Sequence, residues 1–184
     1  MARYPSLKVQ LSLSDGIVDI VDQGFDAAIR IGALPDSSMI TRTLGIYRCI
    51  ACASPAYIDL RGQPIRPEEL ENYDCLDYEF SNRGALNLWR FSRFDEVVAA
   101  NIDPKLTCND SRVLIDAALA GRGIVQVGEL KVAEHLSTGR LVRVLPDWDG
   151  PSRPLQIVFA SHKQRTAKLR VVIDWLVESF GRIC

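Results

Sequence analysis

Residues 109 to 128, NDSRVLIDAALAGRGIVQVG, hold this chain to a narrow set of folds. Within one short span they give a helix start, an amphipathic helix, a glycine stop and a buried strand. Asp110 or Ser111 is placed to cap the first turn, and Val113, Leu114, Ala117 and Ala118 recur at helical spacing. Gly121 and Gly123 supply a positive-φ exit, and Ile124 to Val127 begins a strand. The orphan N–H groups at the helix start, Asp110 to Val113, form a half-positive pole that suits a carboxylate or phosphate. On local grounds alone an ordinary helix cap is the favoured reading of the same residues.

The rest of the chain repeats this alternation of strand and helix. Leu7, Val9, Leu11 and Leu13 alternate with Lys8, Gln10 and Ser12, the period-2 pattern of a strand with one wet face. A short helix with Ile17, Ile20 and Val21 on one side follows, then Gly24, then an apolar strand from Phe25 to Ile31. This predicts a βαβ unit with a right-handed crossover. In such sheets ligands bind beyond the carboxyl ends of the strands, which singles out Ser14 and the exit at Arg30, Ile31 and Gly32. Ile46 to Ala53 reads as a further strand, and Ser54-Pro55 as a cap with proline in the first turn of a helix, a device repeated at Arg66-Pro67. Short strands are expected at 75–80, 88–94, 96–100, 105–108, 139–144 and 155–160. The closing helix should bury Leu169, Val172, Ile173, Leu176 and Phe180.

Composition narrows the function. The 184 residues are 47% hydrophobic and 24% charged, enough to bury a core as one domain or two small lobes. With 22 basic against 23 acidic residues, there is no positive excess for gripping a phosphate backbone, so nucleic acid is not this chain's own ligand. The start, MARYPSLKVQ, has no apolar signal core, and no stretch approaches the ~20 apolar residues of a membrane helix. A cytoplasmic location and no membrane partner are expected. Five cysteines, an odd number, argue for reduced thiols rather than a disulfide framework. Cys49 and Cys52 form a lone CxxC, but three residues apart on a strand they face opposite ways, which disfavours a shared metal.

Catalytic signatures are scarce. His135 and His162 stand in no HExxH spacing and there is no GxSxG elbow, so neither an enzyme nor a metal or cofactor site is expected. Arg30 is the sharpest binding candidate, because an arginine ending an apolar strand must reach water or find an acceptor, and its planar fork suits a carboxylate. A structural ion pair with Asp26 or Asp36 is the competing reading. Asp36, Ser37 and Ser38 form a turn that suits either a site rim or a plain solvated loop.

Taken with VDQGFDAAIRIGALPDSSMITRTLG at 21–45, CASPAYI at 52–58 and SHKQRTAKLRVVIDWLVESF at 161–180, the 109–128 segment resembles the effector-binding domain of LysR-type transcriptional regulators. The motifs are individually loose but specific in order and spacing, and they cover nearly the whole chain. The resemblance implies an α/β fold of the type 2 periplasmic-binding-protein kind, with lobe I at 1–78 plus 158–184 and lobe II at 79–157. It also implies a small anionic inducer held in a cleft between lobes. By that likeness Ser14, Arg30, Ile31, Gly32, Asn109, Asp110 and Ser111 fall where the family lines its cleft. Gln126 stands where relatives are apolar, and is either a contact particular to this chain or a residue pointing elsewhere. The likeness further implies a homodimer or higher homo-oligomer, with the helix at 17–23 as one contact. Relatives carry an N-terminal helix-turn-helix, and a first strand and helix of the domain, that do not precede Arg3. DNA is therefore expected to be reached only through a helix-turn-helix absent from this chain. The alternative is a solute-binding protein of the same architecture serving a transporter.

Overall fold

The computed structural model describes residues 4–13, 23–32, 39–79, 88–161 and 166–181. In chain order the elements are β1 (Ala28–Ile31), β2 (Met39–Ala53), α1 (Pro55–Arg61), a 3₁₀ turn (Pro67–Asn72), β3 (Cys75–Tyr78), β4 (Leu88–Arg93), β5 (Glu96–Asn101) and β6 (Pro104–Cys108). They continue as α2 (Ser111–Leu119), β7 (Ile124–Gly128), α3 (Glu129–Ser137), β8 (Val142–Val144), β9 (Ser152–Ala160) and α4 (Ala167–Phe180). The chain divides into two compact units, residues 1–46 with 153–184, and residues 47–152. These boundaries differ from the expected 78/79 and 157/158. The reason is register: the second half of β2 pairs with β7 from Cys49↔Gly128 to Cys52↔Val125, so residues 47–78 join the second unit. An apolar strand pattern does not tell which sheet it will enter.

In the first unit, β1 runs antiparallel to β9 from Ala28↔Val158 to Ile31↔Leu155. Leu44, Leu155, Ile157, Phe159, Leu169 and Ile173 are buried there. The expected strand at Leu7 to Leu13 is not formed. Among the described residues nothing pairs with it, and Leu11 and Leu13 are 80% and 85% exposed. Alternation supplies an apolar face, but a strand also needs a neighbour for its N–H and C=O groups. The helix expected at 17–23 lies, but for Gln23, outside the described residues.

The second unit is a mixed sheet in the order β8-β2-β7-β3-β6, with β3 parallel to both β7 and β6 and β2 antiparallel to β7. Period-2 alternation divides its apolar residues between two faces. Ile50, Cys52, Leu76, Val125 and Val127 lie under Leu114, Ile115 and Ala118 of α2 and Val132 of α3. Ala51, Ala53, Cys75, Ile124 and Val144 take the other face, covered by Trp89, Phe91 and Ala100 of the β4–β5 hairpin with Tyr57, Leu70 and Trp148. In α2 the buried stripe is Leu114, Ile115 and Ala118, while the expected Val113 is 47% exposed. The α1 start is as read: Ser54 Oγ accepts from Tyr57 N at 3.3 Å ahead of Pro55. At Arg66-Pro67 the same device yields only a 3₁₀ turn without a side-chain cap. Glu69 there accepts from Ile65 N instead, at 2.9 Å.

Candidate functional site

The parallel strands of the second unit end at Tyr78, Cys108 and Gly128, and α2 and α3 start from the last two ends. This is the edge of an α/β sheet at which ligands gather. Three of the residues singled out from the sequence lie here. Asp110 is the N-cap of α2, its carboxylate accepting from Arg112 N at 2.8 Å. Ser111 Oγ accepts from Lys131 Nζ at 2.6 Å, and the Asn109 carbonyl accepts from Tyr78 Oη at 3.0 Å. The first turn of α2 is thus partly neutralised by its own carboxylate, and the ammonium of Lys131 adds the positive charge at this edge. Lys131 escaped the sequence reading because α3 was not foreseen.

Gln126 is not brought to that edge's helical face. It alternates with Val125 and Val127, so it lies on the hairpin side of the sheet, where its Nε2 donates to Arg90 O at 3.2 Å. In the first unit, Arg30 is half-buried opposite Gln156, and Ile31 is 45% exposed at the end of β1. Gly32 has φ +99° and donates its N–H to Pro154 O at 2.9 Å, the tight strand exit expected of it. Ser14, the turn at Asp36 to Ser38, and His162 lie outside the described residues.

The second unit also holds a cavity of about 580 Å³, within the usual range for small-ligand sites. Arg48, Cys49 and Ile50 of β2 form one wall and Arg90, Phe91 and Ser92 of β4 another. Residues 149–152 close a third side. Backbone hydrogen bonds fix these walls: Ser92 and Asp149 exchange N–H···O bonds of 2.8 Å, and Cys49 N donates to Pro151 O at 2.9 Å. A Cβ added at Gly150 would stand 2.5 Å from the Cys49 carbonyl oxygen, so only glycine permits this approach. Glu129 and Arg143, also at the cavity, form an ion pair. Among the described residues, no hydrogen bond or ion pair engages the guanidinium of Arg48 or Arg90. None of the ligand-binding residues expected from the sequence lines the cavity, although Cys49 of the CxxC does. The signal existed, since Arg48, Arg90 and Arg143 interrupt apolar strand runs as Arg30 does.

The CxxC behaves as strand geometry requires. Cys49 faces the cavity, whereas Cys52 is fully buried among the residues under α2 and α3, and burial pushes its thiol up to about 12. The two thiols share no ligand position. Among the described residues no three His, Cys, Asp or Glu side chains are gathered as metal ligands, and no helix is long and apolar enough to cross a membrane.

The family model described as the LysR substrate binding domain matches residues 1–181. An HTH-type transcriptional regulator of Xanthomonas campestris pv. campestris is 33% identical over 179 residues, covering 96% of this chain and 52% of that protein. The HTH-type transcriptional regulator CrgA of Neisseria meningitidis serogroup B is 32% identical over 185 residues, covering 97% and 59%. Against the solved regulatory domain of CrgA, a LysR-type regulator from Neisseria meningitidis, the TM-score is 0.86 at 31% identity, covering 97% of this chain and 87% of that one. Full-length AphB, a virulence activator of Vibrio cholerae, gives 0.83 at 27% identity, covering 98% and 60%. The chain thus spans between 52 and 59% of the length of these two curated relatives. Both are transcriptional regulators, not transport proteins.

Proposed function

From the premise that this chain belongs to the LysR substrate-binding-domain family, whose regulatory domains have the type 2 periplasmic-binding-protein-like fold, we propose that it is the effector-sensing part of a bacterial transcriptional regulator. The match of nearly the whole chain to regulatory domains carries this reading. The ligand is a small anionic metabolite. At the carboxyl edge of the second unit it would meet Asn109, Asp110, Ser111 and the ammonium of Lys131, and in the first unit the exit at Arg30, Ile31 and Gly32. Ser14 belongs to the same proposed set. Binding changes transcription only as far as the ligand prefers one arrangement of the domain or its homodimer over another. The domain acts in the cytoplasm, returns its ligand unchanged, and reaches DNA through the helix-turn-helix part that relatives carry.

The test is a melting screen of the chain against a panel of small carboxylates and phosphates, followed by titration calorimetry on those that stabilise it. Arg30→Ala should weaken the effector by about 1.5–3 kcal/mol if a charged hydrogen bond is lost. Lys131→Ala should weaken an anion by a smaller amount, since its ammonium is at an exposed position. Equal affinity in both variants would remove these residues from the site, and conversion of the ligand during the titration would refute a sensing role.

A further inference from the structure

The core face of the first unit stops short at β1. Strand β9 pairs with β1 on one side, and among the described residues no strand lies on the other. The hydrogen-bond pattern says which backbone groups that leaves. Gly32 N donates to Pro154 O, and opposed residues of an antiparallel ladder bond alternately, so Arg30 and Ala28 also turn their N–H and C=O groups toward β9. The N–H and C=O groups of Ile29 and Ile31 therefore point outward along the other edge. The side chains mark the same edge. Ile29 lies opposite Ile157 and Ile31 opposite Leu155, each pair on one face of the sheet. The β9 members are 1% and 5% exposed, whereas the β1 members are 48% and 45% exposed. So steep a change across one strand spacing marks a core face that a further strand would continue.

The same unit holds a segment with the matching need. Leu7, Val9, Leu11 and Leu13 alternate with Lys8, Gln10 and Ser12, yet the segment forms no strand, and Val9, Leu11 and Leu13 are 44%, 80% and 85% exposed. With Lys8 as its one charge and no glycine or proline, it has little to keep it from pairing. Laid along β1, its apolar side would continue the face of Ile29 and Ile31, and its polar side the face of Arg30. Within one chain the two do not meet, since segment and edge are both unpaired among the described residues. Two copies resolve this. Each has a segment to give and an edge to receive one, and a reciprocal exchange closes at two.

We propose that residues 7–13 of one copy add as a strand to the β1 edge of a second copy, giving a strand-exchanged homodimer of this chain. The contact needs no effector and stands apart from the sensing role proposed above. Sedimentation of the 184-residue chain from about 1 to 200 µM should show a monomer passing to a dimer. Hydrogen exchange at the amides of Ile29 and Ile31 should slow as the dimer forms, while that of Arg30, already bonded to β9, should be slow throughout. Val9→Pro combined with Gln10→Pro removes one donor from each edge of the segment, so no register escapes it, and both positions are exposed, so folding is undisturbed. This variant should raise the dissociation constant at least about tenfold. A peptide of residues 5–15, PSLKVQLSLSD, in excess should dissociate the dimer and protect Ile29 and Ile31, and the same peptide carrying the two prolines should do neither. The proposal is overturned by a monomer at every concentration, by a dimer that the two prolines leave intact, or by a dimer in which Ile29 and Ile31 exchange as fast as in the monomer. Protection of Ile29 and Ile31 at all concentrations in a monomer would also overturn it, placing the chain's own segment on the edge.

Discussion

Asp77 is 3% exposed on β3, and its Oδ1 accepts from the indole N–H of Trp89, itself 1% exposed, at 2.8 Å. This bond ties the β4–β5 hairpin to the sheet it covers, with Trp89 and Phe91 buried on that face. Asp77→Ala leaves a buried donor without its acceptor and should cost about 1–3 kcal/mol, read as a lower urea midpoint at unchanged slope. A variant as stable as the parent would show that the bond adds nothing net. Burial also pushes the thiols of Cys52 and Cys75 up to about 12 from the 9.0 of a free thiol, and the Tyr57 hydroxyl up to about 12. The folded chain then keeps protons that the unfolded chain releases. This contribution to stability is fully present below pH 9 and is lost as pH rises from 9 toward 12. Melting temperatures should therefore fall above pH 9, and in the folded protein at pH 8 iodoacetamide should leave Cys52 and Cys75 unmodified until urea exposes them. Labelling of Cys52 without unfolding would contradict its burial.

At the scale of elements, α2 begins where Asp110 caps it, and Asp110→Ala should destabilise the protein by about 1 kcal/mol, read in the same urea titration. Substitution by Asn, which keeps an acceptor oxygen, should restore most of that loss. This helix was legible because cap, stripe and glycine exit all point the same way, and Gly121 and Gly123 do take φ of +72° and +155°. The hairpin β4–β5 and the strand β6 were legible as the short strands expected at 88–94, 96–100 and 105–108. α3 was not, since it follows β7 with no loop, its N-cap Gly128 offers no side-chain acceptor, and Val132 is its one fully buried residue. The first half of β2 was missed for a related reason, its residues from Met39 to Thr43 being mostly polar or exposed. Leu7 to Leu13 shows the opposite error, an alternating pattern with no partner strand among the described residues. Of the site, the sequence marked the strand ends and helix caps because these are local signals. The cavity's arginines carry a local signal, but Arg48, Arg90 and Arg143 come together only through the pairing of β2 with β7 and β8 and the hairpin laid over them.

For the whole molecule, the proposed sensing role rests on binding free energy. A ligand that binds the folded chain and not the unfolded one must raise its stability by mass action, by about 2.7 kcal/mol at a hundredfold excess over the dissociation constant. For a chain of 184 residues, each kcal/mol moves the melting temperature by roughly 2–4 °C, so a true effector should raise it by about 5–10 °C under those conditions. The shift should grow with the logarithm of ligand concentration and not level off at saturation, which separates specific binding from a fixed solvent effect. A melt series over ligand concentration decides between these outcomes. Chromatography of the mixture afterwards should recover the ligand unchanged, as a sensing domain requires.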